Sequence, residues 1–104
     1  MNHNKLEELT ICVCDYFNIA KKEIIINRNC HFQSKAKQIL IHLAIKHDVM
    51  DKHRLAFFLH TAYDVINNSI RKMDHLLLHY KAIKHEYDSI EYNFLNQKLS
   101  IYES

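Results

Sequence analysis

The chain has no glycine, no proline and no tryptophan in 104 residues, a length where average usage would place about seven glycines and about five prolines. Hairpins need glycine for positive backbone angles and proline for pre-set ones, so a strand-rich meander, sandwich or barrel is excluded as the basic plan. The same absence rules out a glycine-rich phosphate loop of the G-x-x-x-x-G-K-[ST] kind, and with it an ATP-binding module. No run of about 18 apolar residues is present to span a membrane. The N-terminal MNHNKLEEL lacks a basic segment followed by an apolar one, so a cytoplasmic protein is expected. Cysteines are few and odd in number: Cys12, Cys14 and Cys30 form no C-x-x-C pair, which points to buried reduced thiols rather than a disulfide framework or zinc knuckle. An excess of one charge is also missing. Fourteen Lys and Arg against twelve Asp and Glu leave a net charge of +2, which excludes a strongly basic, non-specific nucleic-acid coat.

What remains is 48% hydrophobic and 25% charged, the composition of a globular protein able to fold alone. Without turn-forming residues the expected fold is all-α, a helix-turn-helix bundle of about five helices joined by short polar connections and ending in a long C-terminal helix. The charge is unevenly spread. Residues 21–54 hold eight Lys or Arg against three acids, a net +5, whereas residues 1–20 and 74–104 each come to −2.

The most informative stretch is residues 51–73, DKHRLAFFLHTAYDVINNSIRKM. Leu55, Ala56 and Leu59 repeat at helical spacing, and Ile66, Ile70 and Met73 do so again after a break at His60-Thr61. Two apolar faces separated by a tight turn predict a helix-turn-helix, whose second helix lies in a DNA major groove in many such units. Asp51 is the expected N-cap of the first of these helices. His60 takes the left-handed turn position usually held by glycine, and Thr61 is expected to cap the second helix through its hydroxyl.

Upstream, Leu6, Leu9, Val13 and Tyr16 predict a helix over about residues 4–17, stopped by Asn18, which tolerates left-handed backbone. A short helix over about 20–26, a polar segment over 27–33 and a helix over about 34–47 with Ala36, Ile39, Leu40 and Leu43 inward complete the N-terminal half. Downstream no strong breaker occurs. One helix over about 62–98, roughly 55 Å long, is expected, with Asp88-Ser89 as the best interruption. Met73, Leu76, Tyr80, Ile83, Tyr87, Ile90, Phe94, Gln97 and Ile101 alternate spacings of three and four, the pattern of a coiled-coil seam. On that pattern residues 77–104 form an extension beyond a domain of residues 1–76. Tyr80, Ile83, Tyr87, Ile90 and Phe94 would make a homodimer contact, unless the segment folds back and the stripe is core.

Residues 12–77 resemble the C-terminal, DnaA-box-binding domain of the bacterial chromosomal replication initiator, of the Trp-repressor-like group. Val13-Cys14-Asp15-Tyr16-Phe17-Asn18-Ile19 is similar to that family's V-x-x-Y-Y-x-I opening, Ala36 to Leu43 to its A-R-Q-I-A-M-Y-L, and Ile70-Arg71-Lys72-Met73 to its x-R-K-I. The resemblance implies the helix-turn-helix fold and double-stranded DNA as partner. At the start of the recognition helix the family's G-G-R-D-H-[ST]-T is replaced by His60-Thr61-Ala62-Tyr63-Asp64-Val65, so its box specificity does not carry over. The basic cluster before A-R-Q is reduced to Arg28-Asn29-Cys30-His31.

With Ile66, Ile70 and Met73 inward, Tyr63, Asp64, Asn67, Asn68 and Arg71 face outward as candidate base contacts. Asn pairs bidentately with adenine, Arg with guanine or phosphate, and a carboxylate accepts from cytosine N4. Lys35, Lys37, Lys52, Arg54 and the Thr61 hydroxyl are candidate phosphate contacts. Nine histidines raise the question of a metal. His75 and His79 share a helix face, but a full site needs three or four ligands and Asp74 lies off that face, so no metal or other cofactor is expected. The serines stand in no nucleophile-elbow context and Cys14 has no histidine at a suggestive spacing, so enzyme activity is not expected.

Overall fold

A computed structural model describes residues 3–25 and 31–103, with side chains over 5–22, 24 and 35–96. Among the described residues there are six helices and no strand: α1 (His3–Phe17), α2 (Lys21–Ile25), α3 (His31–Lys46), α4 (Lys52–Phe58), α5 (Tyr63–His79) and α6 (Lys81–Glu103). The all-α expectation holds. The side chains of Arg28 to His31, Gln97 and Ile101 lie outside the described set, as does part of the polar segment expected over 27–33. The rest of that segment is helical, because α3 begins at His31 rather than near Ser34.

Three helices end in the same way without glycine. Asn18, Asp48 and His60 have φ of 56°, 53° and 55°. In each case the next N–H reaches back five residues: Ile19 to the Cys14 carbonyl at 3.0 Å, Val49 to Ala44 at 2.8 Å and Thr61 to Ala56 at 2.9 Å. These bonds satisfy carbonyls that the helix end would otherwise leave open, at the cost of left-handed backbone on residues bearing a Cβ. At the other end of α4, Asp51 caps as expected, its Oδ1 accepting from the Arg54 N–H at 2.9 Å.

Thr61 is not a cap. Its N–H is used in closing α4, so the extended residue before α5 is Ala62 (φ −81°, ψ 154°), which makes no side-chain capping bond.

One core joins all six helices. Leu6, Leu9 and Val13 of α1, Ile24 of α2, Ala36, Ile39, Leu40 and Leu43 of α3, Leu55 and Ala56 of α4, and Ile66 and Met73 of α5 are buried together with Tyr87, Ile90 and Phe94 of α6. Tyr16, expected on the apolar stripe of α1, is exposed instead and meets Phe17 edge-on at 5.1 Å.

The expectation of one helix over 62–98 is overturned. The helix breaks at Tyr80, which is extended (φ −127°, ψ 102°), and α6 packs back along α1 and α5. A continuous 55 Å rod would exceed the 39 Å longest dimension of the molecule and leave Tyr87, Ile90 and Phe94 in water. Burying each of those side chains is worth roughly 1.5–3 kcal/mol, more than one interrupted turn costs. Asp88-Ser89 lies inside α6 and interrupts nothing.

Two further expectations fall with the rod. The seam proposed for a homodimer is internal, since Tyr87, Ile90 and Phe94 are 2%, 0% and 7% exposed, Ile83 packs against the same core and Tyr80 alone stands open. A boundary between residues 76 and 77 would cut α5, and α6 belongs to the same core as the rest.

Candidate nucleic-acid interface

The helix-turn-helix is formed by α4, the left-handed turn at His60, and α5. Leu55, Ala56 and Leu59 hold α4 to the core, and Ile66 and Met73 do the same for α5 with Ile70 partly covered. This leaves Tyr63, Asp64, Asn68, Arg71 and Lys72 exposed along α5, with Asn67 half-buried at the edge.

Several of the expected contact residues hold one another. Lys52 Nζ donates to Asn67 Oδ1 at 2.9 Å and ties α4 to α5. Arg71 donates to Asn68 Oδ1 at 2.6 Å, while Arg54 stands 3.6 Å from Asp51. The Tyr63 ring stacks on His53 of α4, centroids 4.4 Å apart and planes 21° apart, which fixes the first residue of α5. His53 was not singled out from the sequence, and Lys72 only as part of the R-K motif. His53 becomes relevant because α4 and α5 pack, and Lys72 because it stands exposed beside Arg71.

Lys35 and Lys37 belong to α3 and not to the two helices of this face. Lys35 Nζ is 3.0 Å from Glu86 Oε1 of α6 and 5.6 Å from the centre of the Phe17 ring, so its charge is already paired within the bundle, which weighs against a phosphate contact. Lys37 is half-buried on α3, and burial lowers its pKa from the ordinary lysine value. Thr61 is half-buried in the turn, with its N–H engaged.

Behind α5 runs a polar network that the sequence did not announce. His42 of α3 lies 2.6 Å from Asp74 of α5 through Nε2 and 2.5 Å from the Tyr87 hydroxyl of α6 through Nδ1. A carboxylate only accepts, so Nε2 donates to Asp74, and Nδ1 shares a hydrogen bond with the Tyr87 hydroxyl. One imidazole thus links three helices. Burial, reinforced by Glu91, Asp74 and Asp88, pushes the Tyr87 hydroxyl pKa far up, so it stays protonated. Next to it, Lys46 and His47 donate to the same Glu91 oxygen at 2.8 and 2.6 Å. Burial raises the Glu91 pKa, but the hydrogen bonds from Lys46 and His47 and the charges of the same two residues together outweigh it and hold the carboxyl below its ordinary value.

Cys12 and Cys14 are buried in the core, and burial, with Asp15 and Glu8 nearby, pushes the Cys12 thiol up to about 11. No group of three or more His, Cys, Asp or Glu able to hold a metal ion occurs among the described residues. No described helix is long and apolar enough to cross a membrane. No protein-family model matches the chain, and no curated protein matches it in sequence.

Proposed function

We propose that the chain binds duplex DNA through α4, the turn at His60 and α5, with the exposed face of α5 in the major groove. The observation that carries this is the two-helix unit itself: α5 buries Ile66 and Met73 and presents Tyr63, Asp64, Asn68, Arg71 and Lys72 to solvent across a left-handed turn. The likeness of residues 12–77 to a DnaA-box-binding domain supports the same reading. The modest net charge of +2 favours the rival reading below and confines any DNA contact to a local face.

On this reading Arg71 and Asn68 contact base edges, and Lys52 and Lys72 contact phosphate. With Tyr87, Ile90 and Phe94 buried in their own chain, this reading takes the protein to bind as a single copy and to leave a one-sided footprint. Its biological setting would be regulation, or an accessory role in replication or a mobile element.

The test is fluorescence anisotropy on a labelled random duplex pool at low and physiological salt, with Arg71→Glu/Lys72→Glu alongside the parent. Both residues are exposed, so the variant keeps the fold. Two contacts of about 1–3 kcal/mol each predict a loss of at least tenfold, together with a flatter salt dependence. Absence of binding at low salt, or equal binding by the variant, would overturn the proposal.

One observation favours a different reading, a helical module that binds another protein. Phe57 on α4 is 84% exposed, and Asp64 places a carboxylate where phosphates would approach. Phe57→Ser would abolish such an interaction and leave DNA affinity unchanged.

A further inference from the structure

We propose that His75 and His79 form a two-point chelate for a divalent transition-metal cation of the nickel, copper and zinc class, clipped across the last turn of α5. The two residues are four apart, and their rings face each other with centroids 4.4 Å apart and planes inclined at 43°. Both are exposed, so a hydrated ion reaches them without any opening of the fold. An imidazole nitrogen binds such ions at about 2.0–2.1 Å, so two nitrogens on one ion stand roughly 3 Å apart. Rings one helical turn apart, with centroids at 4.4 Å, reach that spacing by side-chain rotation.

The surroundings favour a cation. His79 is the last residue of α5, and the extended Tyr80 ends the helix there, so the partial negative charge of the helix C-terminus lies beside the pair. Arg71, one turn upstream, donates to Asn68, whereas the exposed Lys72, three residues before His75, is a like charge that the site must offset. Asp74 is engaged with His42 and adds no carboxylate to the set. The donor set is therefore two neutral nitrogens with water in the remaining positions. That set selects borderline ions of the copper, nickel and zinc series over calcium or magnesium, which prefer oxygen.

Only the helix holds the two rings in register, so the ion binds the folded chain in preference to the unfolded one and stabilises it. Chelation needs unprotonated imidazoles, so acidification releases the ion. This inference does not rest on the DNA-binding proposal, although a bound dication would add positive charge to the same helix.

The experiment is isothermal titration of the full chain, free of any polyhistidine tag, with nickel chloride at neutral pH. It is repeated with His75→Gln and His79→Gln, and with His53→Gln as a control away from the pair. Melting without metal verifies that each variant is folded. The expected result is one EDTA-reversible equivalent on the parent and on His53→Gln, with affinity reduced roughly tenfold or more in either variant of the pair, since each retains a single anchor. Nickel should also raise the melting temperature of the parent and of neither variant. Parent-like affinity in His75→Gln or His79→Gln would overturn the proposal, as would the absence of binding at millimolar nickel.

Discussion

Replacing His60 with glycine should stabilise this protein, although it removes a side chain and adds none. His60 has φ of 55°, and left-handed backbone costs an L-residue roughly 1–2 kcal/mol through the crowding of Cβ against the following carbonyl. Glycine removes that crowding. It also gives the unfolded chain more freedom, worth roughly 0.4–1 kcal/mol in the opposite direction. The imidazole is exposed, so no burial is lost, and the Thr61 N–H to Ala56 carbonyl bond that closes α4 uses backbone alone.

The net gain is about 0.5–1 kcal/mol. In a domain of this size each kcal/mol moves the melting temperature by about 4–8 °C, so His60→Gly should melt about 2–8 °C higher. Circular dichroism at 222 nm, the helical minimum, follows the transition, and urea midpoints at constant m-value check it. His60→Val, a β-branched residue forced into the same backbone, should lose stability. Asn18→Gly and Asp48→Gly should gain less, because short polar side chains tolerate this region better. A lower melting temperature for His60→Gly would refute the reasoning and show that the imidazole makes a contact worth more than the backbone strain.

Ala62→Ser should stabilise by about 1 kcal/mol, since Ala62 already has extended backbone and lacks only an oxygen to accept from the first turn of α5; thermal melts measure it. Tyr87→Phe should cost about 1–3 kcal/mol in urea unfolding, because it leaves His42 Nδ1 without its hydroxyl partner in a half-buried site. Ile90→Ala should cost about 2–5 kcal/mol and leave the sedimentation-derived mass unchanged, because Ile90 is fully buried within its own chain. Glu91 has a folded-state pKa below the ordinary 4.5, so its contribution is complete above that value and is lost as the pH falls through the lower folded value. Glu91→Gln should therefore flatten the acid side of the stability profile, read from urea midpoints between pH 3 and 6.

Sequence by itself determined the features governed by neighbours in the chain. Asp51 as a cap, Asn18 and His60 as left-handed stops, and the inward faces of α4 and α5 follow from the conformational preferences of single residues and from the 3.6-residue period. Those same features delineate the candidate DNA face, so Tyr63, Asp64, Asn68 and Arg71 were found in advance on the exposed side of α5.

Tertiary structure alone decided the rest. An apolar stripe at spacings of three and four reads identically whether it faces a second copy or its own domain. The choice between them lay in the uncovered surfaces of α1 and α3, which Tyr87, Ile90 and Phe94 fill once the chain breaks at Tyr80. No residue beside Tyr80 signals that break, because its driving force is the burial of side chains seven to fourteen residues further on. The partners of charged groups are non-local for the same reason. Lys35 was indistinguishable from Lys52 in sequence, and the structure gave the one to Glu86 and the other to Asn67 beside the candidate interface. His42 joins Asp74 and Tyr87 across separations of 32 and 45 residues, a link set by how three helices pack and by nothing local in the chain.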